Sequence, residues 1–103
     1  MDTFTYPDFP IYRADKLPLH DLVYLRGVNN YTFLYFRDGS YHLAAKTLGL
    51  FERSLRNESY VRISKSHIVR RDYIRTCTAG LAREVLLLNG IRLQVARRRV
   101  VEV

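Results

Sequence analysis

Asn89-Gly90, standing between the apolar runs Val85 to Leu88 and Ile91 to Val95, constrains the fold of this chain more than any other pair of residues. Asn-Gly is the strongest short-range hairpin signal, because a type I′ turn needs positive φ at both central positions. A two-residue loop predicts that Leu88 faces Ile91, Leu86 faces Leu93 and Glu84 faces Val95, with Leu87 opposite Arg92 and Val85 opposite Gln94. Period-two alternation then turns Ile91, Leu93 and Val95 inward and Arg92, Gln94 and Ala96 outward. Arg97, Arg98 and Arg99 follow at once. A rigid hairpin that delivers three consecutive guanidinium groups is suited to holding an anionic partner.

The charge distribution agrees. In 103 residues, enough for one domain and one modest core, the formal net charge is +7. Residues 1–61 carry seven Lys/Arg and seven Asp/Glu, whereas residues 62–103 carry ten and three, so the whole excess lies in the second part. Such asymmetry points to nucleic acid or an anionic membrane. The membrane is the weaker choice: no uninterrupted apolar run exceeds Val85 to Leu88, far short of a span. The C-terminal half also reads as strand, with no basic amphipathic helix. Met-Asp-Thr-Phe at the start is no signal peptide. The single cysteine, Cys77, cannot form an intrachain disulfide. The expected location is the cytoplasm, on the nucleoid when bound.

Residues 1–21 contain all three prolines, Pro7, Pro10 and Pro18, and read as a lead-in with Ile11 to Arg13 as a short edge strand. Strand patterns follow at Leu22 to Arg26 and Tyr31 to Arg37, separated by the turn Gly27 to Asn30. Asp38-Gly39 is a second hairpin signal, with Ser40 to Ala44 returning. The period changes at Thr47: Leu48, Phe51 and Leu55 form the stripe of a short helix over residues 47–56, capped by Thr47 and left at Asn57. Period two returns in Tyr60 to Ile63, with Val61 and Ile63 inward and Arg62 exposed, then in Ile68-Val69 and Tyr73 to Thr78. Ala79-Gly80 turns into the hairpin already described. The sum is a mostly β domain of eight to ten short strands in a compact set of sheets, with one short helix.

Catalysis finds little support. His20, His42 and His67 are far apart and lack metal-ligand spacing, Cys77 reads as a small packed residue, and no glycine-rich phosphate loop is present. No cofactor or metal is expected. The stronger signal is Tyr60 to Arg71, which places Arg62, Ser64, Lys65, Ser66, His67, Arg70 and Arg71 within ten positions. Ser64, Lys65 and Ser66 fall in the break between two strands. Donor-rich side chains on a loop held by paired strands can reach groove edges or phosphates.

The succession Leu22-Val-Tyr-Leu-Arg26, Asn30-Tyr31, Asp38-Gly39, Lys46-Thr47-Leu48, Tyr60-Val-Arg-Ile-Ser-Lys-Ser-His-Ile-Val69, Tyr73-Ile74, Asn89-Gly90 and Val95-Ala-Arg-Arg98 resembles the LytTR DNA-binding domain family. The resemblance covers residues 17–103 in the family's order and spacing, leaving residues 1–16 as the lead-in. It implies a mostly β domain that recognises duplex DNA through loops and strand ends in successive major grooves, on imperfect direct repeats in bacterial promoters. The implied base contacts are Asn30 or Tyr31, Lys65 with Ser64 beside it, and Arg98. Arg62, Ser66, His67, Arg70, Arg71, Arg97 and Arg99 are candidates for phosphate contact. Three positions depart from the usual pattern: Ser64 stands where the family commonly has His, Arg70 where it has Asn, and Ala96 where it has Ser. Residues 1–16 are too few for a receiver domain, and the Met1 start points to a stand-alone regulator over an excised output domain.

Two rival readings differ in what they bind. A single-stranded RNA-binding β-domain would stack bases on Tyr31, Phe33 and Tyr35. A protein-interaction module controlling another regulator would form a protein complex and leave no nucleic-acid footprint. A direct repeat needs two copies of the domain, yet no coiled coil or large apolar helix stands ready to hold a dimer. Sedimentation at micromolar concentration without DNA should therefore show a single species near 12.2 kDa, with two copies meeting side by side only on DNA; a tight dimer in free solution would refute this.

Overall fold

The computed structural model describes residues 19–55, 59–78 and 83–96. The lead-in with its Ile11 to Arg13 strand, the helix exit at Asn57, the Ala79-Gly80 turn and the Arg97 to Arg99 run lie outside the described residues.

Strand β1, Leu22–Val28, opens with four consecutive buried residues. A strand alternates faces, so four in a row can be buried only where both faces are covered. An irregularity in pairing between Leu22 and Tyr24 interrupts the alternation. Leu22 and Leu25 consequently join one core, and Val23 and Tyr24 the other. Strand β2, Tyr31–Phe36, keeps the strict alternation its sequence shows: Thr32, Leu34 and Phe36 are buried, with Tyr31, Phe33 and Tyr35 on the opposite side. Strand β3, Tyr41–Ala44, completes the meander.

Helix α1, Leu48–Ser54, follows with Thr47 at its N-cap, where the threonine makes no side-chain capping bond. Its stripe of Leu48 and Phe51, with Leu55 just beyond, docks on Leu22, Leu25, Leu34, Phe36, Ala44 and Ile68. Each such side chain contributes about 1.5–3 kcal/mol on full burial. Beyond the helix come β4, Tyr60–Arg62, and β5, His67–Arg70. The stretch expected as one strand from Tyr73 is preceded by a 3₁₀ turn, Arg71–Tyr73, and β6 spans Ile74–Cys77. Strands β7, Glu84–Leu87, and β8, Arg92–Gln94, end the described chain.

Among the described residues the eight strands form two antiparallel sheets, one ordered β3-β2-β1-β5-β4 and the other β6-β7-β8. Helix α1 covers one face of the five-stranded sheet. On the other face Val23, Tyr24, Ile63, Val69 and Tyr73 pack against Ile74, Val85, Leu87 and Val95 of the smaller sheet and its flanks.

The hairpin at Asn89-Gly90 exists, but its loop holds three residues rather than two. Leu87 N–H donates to Ile91 O at 2.9 Å and Gly90 N–H to Leu87 O at 2.9 Å, with Gly90 at φ 92°. This is the type I turn closed by a left-handed residue, an alternative that Asn-Gly serves equally well. The one-residue difference swaps the faces of β7. Val85 now faces Leu93 and lies in the core with Leu87, whereas Glu84 and Leu86 pair with Gln94 and Arg92. Leu88 and Ile91, expected inside, are exposed.

Asp38-Gly39 repeats the same geometry, with Gly39 also at φ 92°. In each turn the acidic or amide side chain accepts the N–H two residues on, Ser40 to Asp38 Oδ1 at 2.9 Å and Ile91 to Asn89 Oδ1 at 3.1 Å. The true two-residue loop is Asn29-Asn30, where Val28 pairs with Tyr31 and Asn29 takes φ 55°. Strand β1 therefore runs two residues past Arg26.

The observed register makes opposite demands from the expected one. Leu87→Ala should cost about 2–5 kcal/mol, as for a fully buried leucine, and Leu86→Ala about 1 kcal/mol or less. Urea unfolding of the two variants checks this; the reverse ranking would restore the two-residue loop.

Candidate nucleic-acid interface

Three connections meet at one end of the five-stranded sheet. The pairings Val28↔Tyr31, Arg26↔His67, Arg62↔Ile68 and Thr32↔Ala44 align the Asn29-Asn30 turn, the Ser64 to Ser66 loop and the Ala45-Lys46 link along that edge. Thr32, buried on β2, donates its hydroxyl to Lys46 O at 2.7 Å and ties the link down. Asn30 and Tyr31 are exposed, Tyr31 by 49%.

The Ser64 to Ser66 loop is fixed from within. Ile63 at its root is fully buried, and its N–H donates to His67 O at 3.1 Å. Ser66 N–H donates to Ser64 Oγ at 3.1 Å, and Gly27 N–H on β1 donates to Ser66 O at 2.8 Å. Arg62 supplies the rest: Nε donates to Ser64 O at 2.7 Å, Nη2 donates to Lys65 O at 2.8 Å, and Nη1 pairs with Glu52 of α1. Three consecutive loop carbonyls are thus satisfied from the protein side, and the Lys65 side chain is left exposed at the tip. The Arg62 side chain, expected outward, is only 14% exposed. It lines an open cleft with Glu52, Arg53 and Tyr60, between α1 and β4.

The smaller sheet reaches the same place. Ala96 N–H donates to Ile63 O at 2.8 Å, and Arg83 Nη2 donates to Ala96 O at 3.2 Å. The chain thus passes the loop's root immediately before Arg97, although Arg97, Arg98 and Arg99 themselves lie outside the described residues.

Asn30, Tyr31, Ser64, Lys65, Ser66 and His67 are therefore brought together, with Arg62 beneath the loop. Arg70 and Arg71 are not: they stand at the other end of β5. Arg70 is 18% exposed, donates through Nη1 to His20 O at 2.6 Å and Leu22 O at 3.2 Å, and lies 5.5 Å over the Tyr60 ring. Arg71 N–H donates to Ser59 O at 2.7 Å. Sequence reasoning missed Arg26, which pairs opposite His67 with its guanidinium 4.6 Å over the Phe33 ring and 3.4 Å from Tyr35 Oη. A basic residue on a strand just ahead of the GVNN turn was the available signal.

Among the described residues no group of three His, Cys, Asp or Glu could hold a metal ion, and no helix is long and apolar enough to cross a membrane.

Comparison with known proteins adds two findings. Residues 12–103 match the family model of the LytTr DNA-binding domain. The fold is similar to a solved LytTr DNA-binding domain from a Bacillus cereus protein described as a methyl-accepting/DNA response regulator, with TM-score 0.69 and 22% identity over 78% of this chain and 74% of that one. No curated protein matches the chain.

The histidines near this edge set a pH dependence. Burial, and then the neighbouring Arg26 charge, lowers the His67 pKa from its ordinary value, and burial alone lowers that of His42. The unfolded chain therefore binds protons that the folded chain refuses, so stability is full above the unfolded value of about 6.5 and falls as the pH drops through it. Urea midpoints at pH 7 and pH 5 should decline for the native sequence and decline less for His42→Gln/His67→Gln. Equal slopes would show that neither imidazole is held neutral by the fold.

Proposed function

The chain belongs to the LytTR DNA-binding domain family, and from that premise we propose that it binds duplex DNA sequence-specifically, as a bacterial transcription regulator acting on promoter direct repeats. The family is a non-catalytic DNA-binding regulatory domain, so affinity and discrimination are what its surface has to supply. The observation that carries the reading is the convergence of the Asn29-Asn30 turn and the Ser64 to Ser66 loop on one sheet edge, with Lys65 outermost. On this reading Lys65, Ser64, Asn30 and Tyr31 meet base edges in the major groove, where a lysine ammonium can donate to guanine O6 and N7. Arg98 is proposed as a second base contact, with Ser66, His67, Arg97 and Arg99 toward the phosphates that set register. Two copies would sit side by side on the repeat, on the nucleoid in the cytoplasm. The contact of Arg70 with the start of β1 favours a structural role for it instead, and Arg71 lies beside it at the far end of β5.

Base stacking on Tyr31, Phe33 and Tyr35 is less well supported. Phe33 is already covered by Arg26, and Tyr35 stacks on Tyr24 with ring centroids 4.4 Å apart. Binding should accordingly favour duplex over single strands of the same sequence.

The decisive measurement is a salt titration against a duplex selected from a random pool and against its scrambled counterpart. Lys65→Ala should cost about 1–3 kcal/mol on the selected duplex and less on the scrambled one. Arg71→Ala should leave the ratio of the two affinities unchanged. Equal losses on both duplexes for Lys65→Ala would make Lys65 a phosphate clamp.

A further inference from the structure

We propose that Glu52 and Arg62 are a positioning pair: without touching DNA, they hold the Ser64 to Ser66 loop in the shape that reads it. The inference rests on the duplex-binding reading above and deepens it. A guanidinium offers its donors in a planar fork, and here all three nitrogens have partners on the protein: Ser64 O, Lys65 O and the Glu52 carboxylate. With the side chain 14% exposed, the fork is spent inward. Arg62 therefore sets the direction of two loop carbonyls, and through them the path of the backbone that carries Lys65.

Glu52 in turn is placed by the core. Its neighbour Phe51 is fully buried, and Leu48 lies so close to β1 that a Cβ on Gly27 would stand 3.0 Å from Leu48 Cβ. Gly27 also donates its N–H to Ser66 O. Helix, strand and loop thus meet at fixed distances, with the ion pair as the bridge between α1 and the loop.

The charges make the proposal separable from simple electrostatics. Removing an acid from a DNA-binding domain ordinarily strengthens DNA binding. A positioning role predicts that removing the Glu52 charge instead weakens discrimination. Arg62→Lys keeps the charge that a phosphate would feel, but a single ammonium cannot serve three acceptors in the geometry of a fork.

The test compares Glu52→Gln and Arg62→Lys with the native chain, using the selected and scrambled duplexes at several salt concentrations. Alongside runs amide hydrogen exchange of the free protein. Arg62→Lys should lower the selected-over-scrambled ratio about tenfold with the salt slope unchanged. Glu52→Gln should lower the same ratio while scrambled-duplex binding holds or rises. In both variants the amides of Ser66 and Gly27, both hydrogen-bonded to the loop, should exchange faster while Leu25 at the sheet centre is unaffected, which also shows that the variants remain folded. Unchanged loop exchange would overturn the proposal. So would a preserved ratio in Arg62→Lys, with one further variant, Arg62→Ala, titrated alongside and showing a salt slope reduced by about one, the mark of a direct phosphate contact. Should the native chain bind all duplexes equally, the duplex-reading function falls and with it the role of the pair in discrimination; the exchange experiment then decides separately whether the pair orders the loop.

Discussion

Burial of β1 on both faces is the constraint on which the other elements depend. Leu22 and Leu25 require cover on one side, Val23 and Tyr24 on the other. One helix and one small sheet provide it. The helix is short and carries a glycine, so its own propensity is weak; it exists because Leu48 and Phe51 have a sheet to enter. The three-stranded sheet is equally dependent, since its inward residues Val85 and Leu87 find their partners on the face that carries Val23 and Val69. Edges and turns could then be arranged without disturbing the centre.

The parts of this architecture legible in the sequence are those governed by local periodicity. The alternation of Tyr31–Phe36 and the spacing of Leu48, Phe51 and Leu55 each state their own environment, and both are as expected. Register was less legible. Asn89-Gly90 is compatible with two loop lengths, and the alternatives differ by only one residue yet invert Leu86 and Leu87. Both patterns leave apolar residues on either face of β7, so hydrophobicity could not decide between them. A clean alternation such as that of β2 would have done so.

Charged residues were misread for a related reason. Arg62 on an alternating strand reads as solvent-facing, and nothing in its neighbourhood reveals that Glu52, ten positions away, lies across from it. Arg70 likewise finds its acceptors at His20 and Leu22, about fifty residues back. The basic segment includes the loop that joins β4 to β5. It was a poor guide to which arginines face outward. The exposure of Lys65 was legible because it stands in a break between strands, where a side chain has no facing partner.

The joining of β1 to β5 has a kinetic meaning. The five-stranded sheet consists of a meander, β1 to β3, and a hairpin, β4 and β5, each closed by short connections; the rungs Tyr24↔Val69, Leu25↔Ile68 and Arg26↔His67, with the Gly27 N–H to Ser66 O bond beyond them, unite the two. Those rungs span some forty residues of chain, and long-range contacts of this kind carry the loop-closure cost that slows folding. The Asn29-Asn30 turn belongs to the first piece and the Ser64 to Ser66 loop to the second. The Ser64 to Ser66 loop also takes its Gly27 contact from the first piece, so the paired surface is created only when the two pieces zip together. The surface that carries both loops is in that sense a property of the completed sheet, present in finished molecules and missing from unfinished ones.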